Sequence, residues 1–290
     1  MKSAQGRTAT VPSDAAPSAA AMTRRVMKYV WEHPANEGQR ASALVRAAQF
    51  QLRGRLLGKR TLAPLGDRSR IWAYLHRAGA SRVIYGNPPD YPEMMAWRRN
   101  LRPGDLFLDV GANVGSYAIW AAESGADVIA LEPADETFWL LLENIALNGY
   151  RIDAIQAAAG SFCGTAHFTS GRDCVNQFDP LGDARTRVLT IDSLIGDRAV
   201  AGMKVDVEGF EIQVLQGCAR ALAQERISLI QLEWNAASQA AVGTDRLPVA
   251  AFLAQYGYHL YRPDLRGELL PIGEVGFGPD VFARPRHAGP

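Results

Sequence analysis

Residues 105–117 read DLFLDVGANVGSY, and no other stretch restricts the fold as much. Leu106, Phe107 and Leu108 make a short unbroken apolar run, followed by Asp109, Val110 and a glycine. A run that short, ended by glycine, suits a strand buried on both faces, as in a parallel sheet. Gly111 and Gly115 bracket a turn in which a Cβ is expected to obstruct close approach of a ligand. Ser116 opens a helical pattern through Tyr117, Ala118, Ile119 and Trp120. Strand, glycine turn and helix together bring backbone N–H groups and a helix N-terminus beside a bound ligand. Asp109 argues against an ordinary βα turn, because a carboxylate at the end of a buried strand costs free energy unless donors meet it.

The spacing also bears on the ligand. A dinucleotide fingerprint needs G-x-G-x-x-G, and Asn113 stands where its second glycine would be. Close approach of a pyrophosphate is then disfavoured. Asp-x-Gly-x-x-x-Gly is instead the pattern of S-adenosylmethionine sites, which hold no phosphate. The next apolar run, residues 127–131, ends in Glu132-Pro133. Glu132 lies 21 residues past Gly111, where an acidic side chain would bind ribose hydroxyls.

A chain of 290 residues can bury a full core, and one α/β domain behind an N-terminal extension is the natural division. The net charge of +1 exerts no whole-chain pull toward nucleic acid. Cys163, Cys174 and Cys218 make no metal spacing and cannot all pair, which suits a reducing cytoplasm. No apolar run reaches membrane-spanning length, and Thr23-Arg24-Arg25 lacks the apolar region of a twin-arginine export signal. Residues 1–21, rich in Ala, Ser, Thr and Pro, read as a disordered tail. Residues 22–100 read as a helical cap and 101–290 as the catalytic domain. The cap begins basic: Leu44, Ala47, Ala48, Leu52 and Leu56 recur at helical spacing, with Arg46, Arg53, Arg55 and Lys59 around them. Such a helix could lie on a membrane or a partner, but a capping helix with a solvated basic face is the favoured reading.

Further along the cap, residues 71–76 suggest a short helix and 82–85 a short strand. Pro92 is placed to start a helix that Pro103-Gly104 must end. Asn87-Pro88-Pro89-Asp90 resembles the N-P-P-[YF] motif of amino-methylating nucleic-acid enzymes, but its fourth position is not aromatic, and a Pro-Pro turn is favoured. Beyond Glu132 the pattern alternates. A helix over 135–147 precedes a third strand over 152–158, which brings Ala157 and Ala158 near where an adenine would lie. Residues 160–187 are irregular, with a hairpin around 166–169 and a mobile loop over the site. Strands follow at 203–207, 228–232, 258–261 and 281–283, with helices at 210–223 and 248–256. Alternating elements imply a parallel sheet with ligands at the carboxyl ends of its strands.

A second chemical site is the run Lys204-Val205-Asp206-Val207-Glu208-Gly209. Period two puts Lys204, Asp206 and Glu208 on one face. Asp206 and Glu208 could take a proton from an acceptor hydroxyl, hold it in place, or bind a hard divalent cation, with Glu233 joining from the next strand. Helix N-capping is the competing reading for Glu208, and an ion-pair partner that for Lys204. His259 begins a strand at the wrong end of the sheet, and His33, His76 and His287 lie in cap or tail. His167 alone could approach the cleft, and solvent exposure is its favoured state.

Asp109 to Tyr117, Glu132-Pro133, the K-V-D-V-E-G-F-E run and Leu215-Gln216-Gly217-Cys218 closely resemble the FkbM family of S-adenosylmethionine-dependent methyltransferases. The resemblance covers roughly residues 101–262, with Cys218 where the family usually has alanine. It implies a Rossmann-like class I methyltransferase fold: a seven-stranded, mostly parallel sheet with helices on both faces and an antiparallel last strand. It implies methyl transfer to a hydroxyl oxygen of a polyketide, sugar or related small molecule, with S-adenosylmethionine as donor. The expected cofactor set is Asp109, Gly111, Ala112, Asn113, Gly115, Ser116, Glu132, Pro133, Ala157, Ala158 and Asp206. The expected catalytic set is Asp206 as base or acceptor-holding carboxylate, with Glu208 and Glu233 in support. A metal-free site is favoured over one holding a divalent cation. A nucleic-acid methyltransferase using the basic cap, and a cofactor-binding partner without turnover, remain the alternatives. No motif identifies the acceptor.

Overall fold

The computed structural model describes residues 19–75, 77–168, 184–234, 246–273 and 278–286. Most of the expected tail, the middle of the expected mobile loop, His76, Cys174 and His287 lie outside them. The main sheet is built from β3 (Leu106–Val110), β4 (Asp127–Leu131), β5 (Ile152–Ile155), β9 (Gly202–Val205), β10 (Ile230–Leu232), β11 (Tyr258–Pro263), β12 (Leu269–Pro271) and β13 (Val281–Pro285). Their order is β12-β11-β13-β10-β9-β3-β4-β5. The strands from β5 to β10 run parallel, and β13 is antiparallel between β10 and β11. Eight strands stand where seven were expected. The extra one, β12, is three residues long and folds back antiparallel on β11 at the sheet edge.

Both faces of the sheet are covered, as the near-continuous burial of β3 and β9 requires. Phe107 points into a core shared with α4 (Tyr91–Asn100), α5 (Ser116–Glu123) and α6 (Asp135–Asn148). Leu108, Val110, Met203 and Val205 point the other way. Their core includes side chains of α7 (Ile191–Ile195), α8 (Glu211–Gln216), α9 (Ala219–Ala223) and α10 (Leu247–Gln255). Trp97 of α4 is fully buried, edge-on to Phe107 with ring centroids 4.9 Å apart and tilted against Phe282 at 5.3 Å. Its indole N–H donates to Gln231 Oε1 in the middle of the sheet. Helix α4 thus belongs to the core of the sheet as well as to the cap.

The rest of the cap is α1 (Ala19–Glu32), α2 (Arg40–Leu57), the hairpin β1 (Thr61–Leu65) and β2 (Ser69–Ala73), and α3 (Ala78–Tyr85). Buried Asn36 ties it together, donating to Val30 O at 2.9 Å and Tyr85 O at 2.7 Å. Two expectations reverse here. Residues 69–73 form a strand, because Ser69, Ile71 and Ala73 are buried in alternation and pair with β1. Residues 82–85 end a helix: Val83 and Ile84 are β-branched, but packing against α2 overrides that preference. The third strand also stops early, at Ile155; Ala158 and Ala159 form β6, which pairs with β8 (Ala184–Leu189) beside β7 (Gly164–Phe168). The expected long helix after Gly209 is two short ones. Between them, a Cβ on Gly217 would lie 2.0 Å from Gly160 O, so the chain there is pinned to the neighbouring loop.

Candidate functional site

The turn after β3 is held from inside. Gly111 N and Ala112 N both donate to Leu131 O, at 3.0 and 2.9 Å, and Gly115 N donates to Ala112 O at 2.9 Å. Gly111 and Gly115 have φ of +80° and +93°. A Cβ on Gly111 would come within 1.9 Å of Asp206 O, and one on Gly115 within 2.6 Å of Leu141 Cδ1. The atoms those glycines make room for are the protein's own. Asn113, at φ +51°, donates its backbone N–H to Glu132 Oε2 at 2.9 Å and accepts from Val114 N at 2.8 Å through its side chain.

Three polar groups meet at this turn. Asp109 is fully buried, and neither carboxylate oxygen has a hydrogen-bond partner among the described residues. Burial pushes it up to about 6, against the opposing pull of the Lys204 ammonium. Glu132, also buried, accepts from Asn113 N and Ala134 N, yet burial still pushes it up to about 7. Two backbone donors fill only part of a carboxylate's roughly four lone-pair sites. Lys204 lies beside Asp109 in register, with its Nζ 2.9 Å from Asp206 Oδ2 and over the Tyr117 ring. Pro133 and Ser116 are half-buried at the ends of the turn's two flanking elements, while Ala157 and Ala158 are buried beside β5.

The D-x-E-G run leaves the sheet sooner than its period-two reading expected. β9 ends at Val205, so Lys204 and Asp206 share a face but Glu208 does not continue it. Glu208 sits in a turn at φ +52°. The turn folds its carboxylate back instead, so that Asp206, Glu208 and Glu233 each bring an oxygen within 4.8 Å of the others. Burial first, then the neighbouring Asp206 charge, raises Glu208 to about 7 and Glu233 to about 9. Glu211 secures the turn, accepting from Gly209 N at 3.0 Å and from buried Arg246 at 2.5 Å.

Asp206, Glu233, Lys204 and Tyr117 form one wall of a cavity of about 440 Å³, joined there by Asp280. The cap supplies the other wall: Tyr29 and His33 from the end of α1, Arg82 from α3, and Pro89, Asp90 and Glu93 around the start of α4. Tyr29 Oη donates to Pro89 O at 2.7 Å, and His33 Nε2 lies 3.1 Å from the same carbonyl. Burial lowers His33, which keeps its ring neutral near pH 7. Gly86 is required next to it, because a Cβ there would fall 2.3 Å from the imidazole. Arg82 pairs with Asp90 at 2.6 Å. His33 lies in the cap, as expected, but it is His33 and not His167 that lines the cavity, and His167 is exposed on β7. The Asn-Pro-Pro-Asp stretch is a turn, as expected, but also part of the wall. Of these wall residues from the cap, Pro89 and Asp90 lay in a segment whose motif drew notice, while Tyr29, His33, Arg82 and Glu93 did not.

The sequence profile of the methyltransferase FkbM domain matches residues 109–260, a little over half of the chain. The chain belongs to the FkbM methyltransferase family. Members use S-adenosylmethionine, and the turn fits that ligand. Its two carboxylates, both with unmet lone pairs, suit a molecule bearing an ammonium and a ribose diol and repel a phosphate. A curated relative, the hexuronic acid methyltransferase AglP of Haloferax volcanii, is 28% identical over 136 residues, which are 44% of this chain and 56% of that protein. The chain thus spans little more than half the length of that relative. Among solved structures, the T. thermophilus 16S rRNA N2 G1207 methyltransferase, in complex with AdoMet and guanosine, aligns at a TM-score of 0.46. The identity is 15%, over 79% of this chain and 50% of that one. A TehB-like SAM-dependent methyltransferase from Corynebacterium glutamicum aligns at 0.41 with 12% identity, over 68% and 88%. Likenesses this weak carry no argument about substrate; strand order itself defines the fold of this FkbM-family protein.

Proposed function

We propose that this FkbM-family protein transfers a methyl group from S-adenosylmethionine to a hydroxyl oxygen of a small polyhydroxylated molecule. The acceptor would sit in the cavity under the cap, residues 22–100, on a catalytic domain of residues 101–290. The observation that carries this reading is the position of Asp206. Its backbone carbonyl packs on Gly111 of the cofactor turn while its carboxylate faces the acceptor cavity. One residue thus borders both reactants. The substrate named for the Haloferax relative is a sugar acid, and a cavity walled by carboxyls and tyrosines offers the hydrogen bonds a sugar ring needs.

S-adenosylmethionine supplies an electrophilic methyl carbon, so this chain must align an oxygen and manage one proton. Asp206 orients the hydroxyl and takes its proton, and the Lys204 ammonium, 2.9 Å from its carboxylate, holds it in place. Glu233, raised, acts as a hydrogen-bond donor to the acceptor in its protonated form, with Glu208 in support beside it. Asp109 and Glu132 hold the amino and ribose groups of the donor, with Ala112, Asn113, Ser116, Pro133, Ala157 and Ala158 shaping its bed. Alignment of the reactants can supply several kcal/mol, up to ~7–11 in well-oriented intramolecular cases. A general base adds roughly two to four orders of magnitude.

The three clustered carboxylates also have the ligand type a hard divalent cation prefers, so a metal-assisted version remains the second reading. The test is methyl transfer from labelled S-adenosylmethionine to a panel of sugars and polyols, with and without EDTA. Base-stable labelled ethers formed in EDTA support the metal-free version, and activity restored only by magnesium or manganese supports the second. Asp206→Asn should retain cofactor binding and lose about two to four orders of magnitude in turnover. Full activity in that variant would remove Asp206 from the chemistry.

A further inference from the structure

The first two helices carry two kinds of surface that the proposed reaction does not use. Met27, Trp31, Val45, Leu52, Leu56 and Leu57, all on α1 or α2, are each more than half exposed. Between the helices runs an open groove of about 500 Å³, floored by Val26, Leu44, Ala47 and Ala48. The same stretch, residues 19–60, holds nine Lys and Arg against two Glu, a net charge of +7. The whole chain carries +1, so the remaining residues carry −6. Arg24, Arg25, Lys28, Arg53, Arg55 and Lys59 are all exposed. The charge of this protein is therefore segregated, and its cationic part coincides with the largest concentration of exposed apolar side chains among the described residues.

We propose that the α1–α2 face docks on an anionic lipid bilayer, with the aliphatic side chains entering the headgroup boundary and the cations binding lipid phosphates. Partly inserted apolar groups within a ring of Lys and Arg are the requirements of an interfacial helix. No helix among the described residues is long and apolar enough to cross a membrane, so the attachment is peripheral. Charge selects this occupant over a second copy, since a symmetric dimer through this face would bring two strongly cationic surfaces together. Residues 1–18 are a poor filler for the groove, with Met1 and Val11 their only larger apolar side chains. Nucleic acid would satisfy the cations and leave exposed Leu and Met unexplained. Helix α1 also delivers Tyr29 and His33 to the acceptor cavity, so the docked face adjoins that site. The proposal does not depend on the methyl acceptor.

The test is sedimentation of the full chain with vesicles of phosphatidylcholine alone and of phosphatidylcholine mixed with phosphatidylglycerol. The expected result is binding to the mixed vesicles, weakened by salt, and little to the neutral ones. Arg53→Glu with Arg55→Glu, and separately Leu52→Ser with Leu56→Ser, should each weaken binding by about tenfold or more at unchanged melting temperature. All four side chains are exposed, so folding is not at stake. No binding to anionic vesicles would overturn the proposal. So would undiminished binding by the serine variant, which would reduce the surface to a polyanion site such as nucleic acid uses. A stable dimer dissociated by the serine changes, or binding only after deletion of residues 1–18, would assign the face to those occupants instead.

Discussion

Gly111 is the residue at which the two halves of the site touch. With φ at +80°, its conformation costs a residue bearing a Cβ roughly 1–2 kcal/mol before any contact is counted. The Cβ would then lie 1.9 Å from the carbonyl oxygen of Asp206. Gly111→Ala should therefore destabilise the protein by more than about 2 kcal/mol and displace Asp206. Chemical denaturation measures the first effect, and calorimetry with S-adenosylhomocysteine the second. Wild-type stability in this variant would mean that the turn can give way. Glu93 offers a second check at this scale. Burial, then Asp280 and Asp90, raises its carboxyl to about 7. A carboxyl raised on folding keeps its proton after the unfolded chain has lost its own. Stability from this group is thus lost as pH rises from about 4.5 to about 7, by at most about 3 kcal/mol. His33, lowered by burial, acts in the opposite direction over part of that window. The difference in melting temperature between wild type and Glu93→Gln therefore isolates the carboxyl: the variant should gain relative stability from pH 5 to 7.5. A constant difference across that range would contradict the assignment.

At the scale of elements, two buried carboxylates fasten a turn each by taking several donors at once. Glu123, at the end of α5, receives backbone N–H bonds from Asp67, Arg68 and Ser69 and the Ser69 hydroxyl at 2.6 Å. Burial opposes its ionisation, but those donors outweigh the penalty and hold its carboxyl below the usual range. Arg98, stacked on Trp120, adds an ion pair at 2.9 Å. Glu123→Ala should cost on the order of 3 kcal/mol, by leaving several donors unmet, and expose the β1–β2 turn to proteolysis. Glu211 plays the same part for the D-x-E-G turn through Gly209 and Arg246. Its ion pair with Arg246 is wholly buried, so Glu211→Ala, which removes one partner, should cost about 3–5 kcal/mol. Denaturant melts check both; losses under about 1 kcal/mol would mean that water replaces the carboxylates.

Across the whole molecule, the readable features and the unreadable ones divide by how far apart in the chain their parts lie. Asp109, the glycine turn and Glu132 could be read in the sequence because one βα unit imposes their spacing on any chain that folds it. The parallel order of the sheet followed from alternating elements for the same reason. Residues 71–76 and 82–85 were misassigned because periods this short are ambiguous, and pairing with β1 and packing on α2 decided them. Glu208 left the strand because the chain turns after Val205, which a period-two count does not foresee. Of the cavity, Asp206 and Glu233 were legible and the wall supplied by the cap was not. Tyr29 and Pro89, which meet at its wall, are 60 residues apart and belong to segments with no shared motif. Chemistry written in local backbone geometry is thus determined by sequence spacing alone. Which face of the cap covers the strand ends depends on many small burial energies summed over distant residues, and only the tertiary structure decides it.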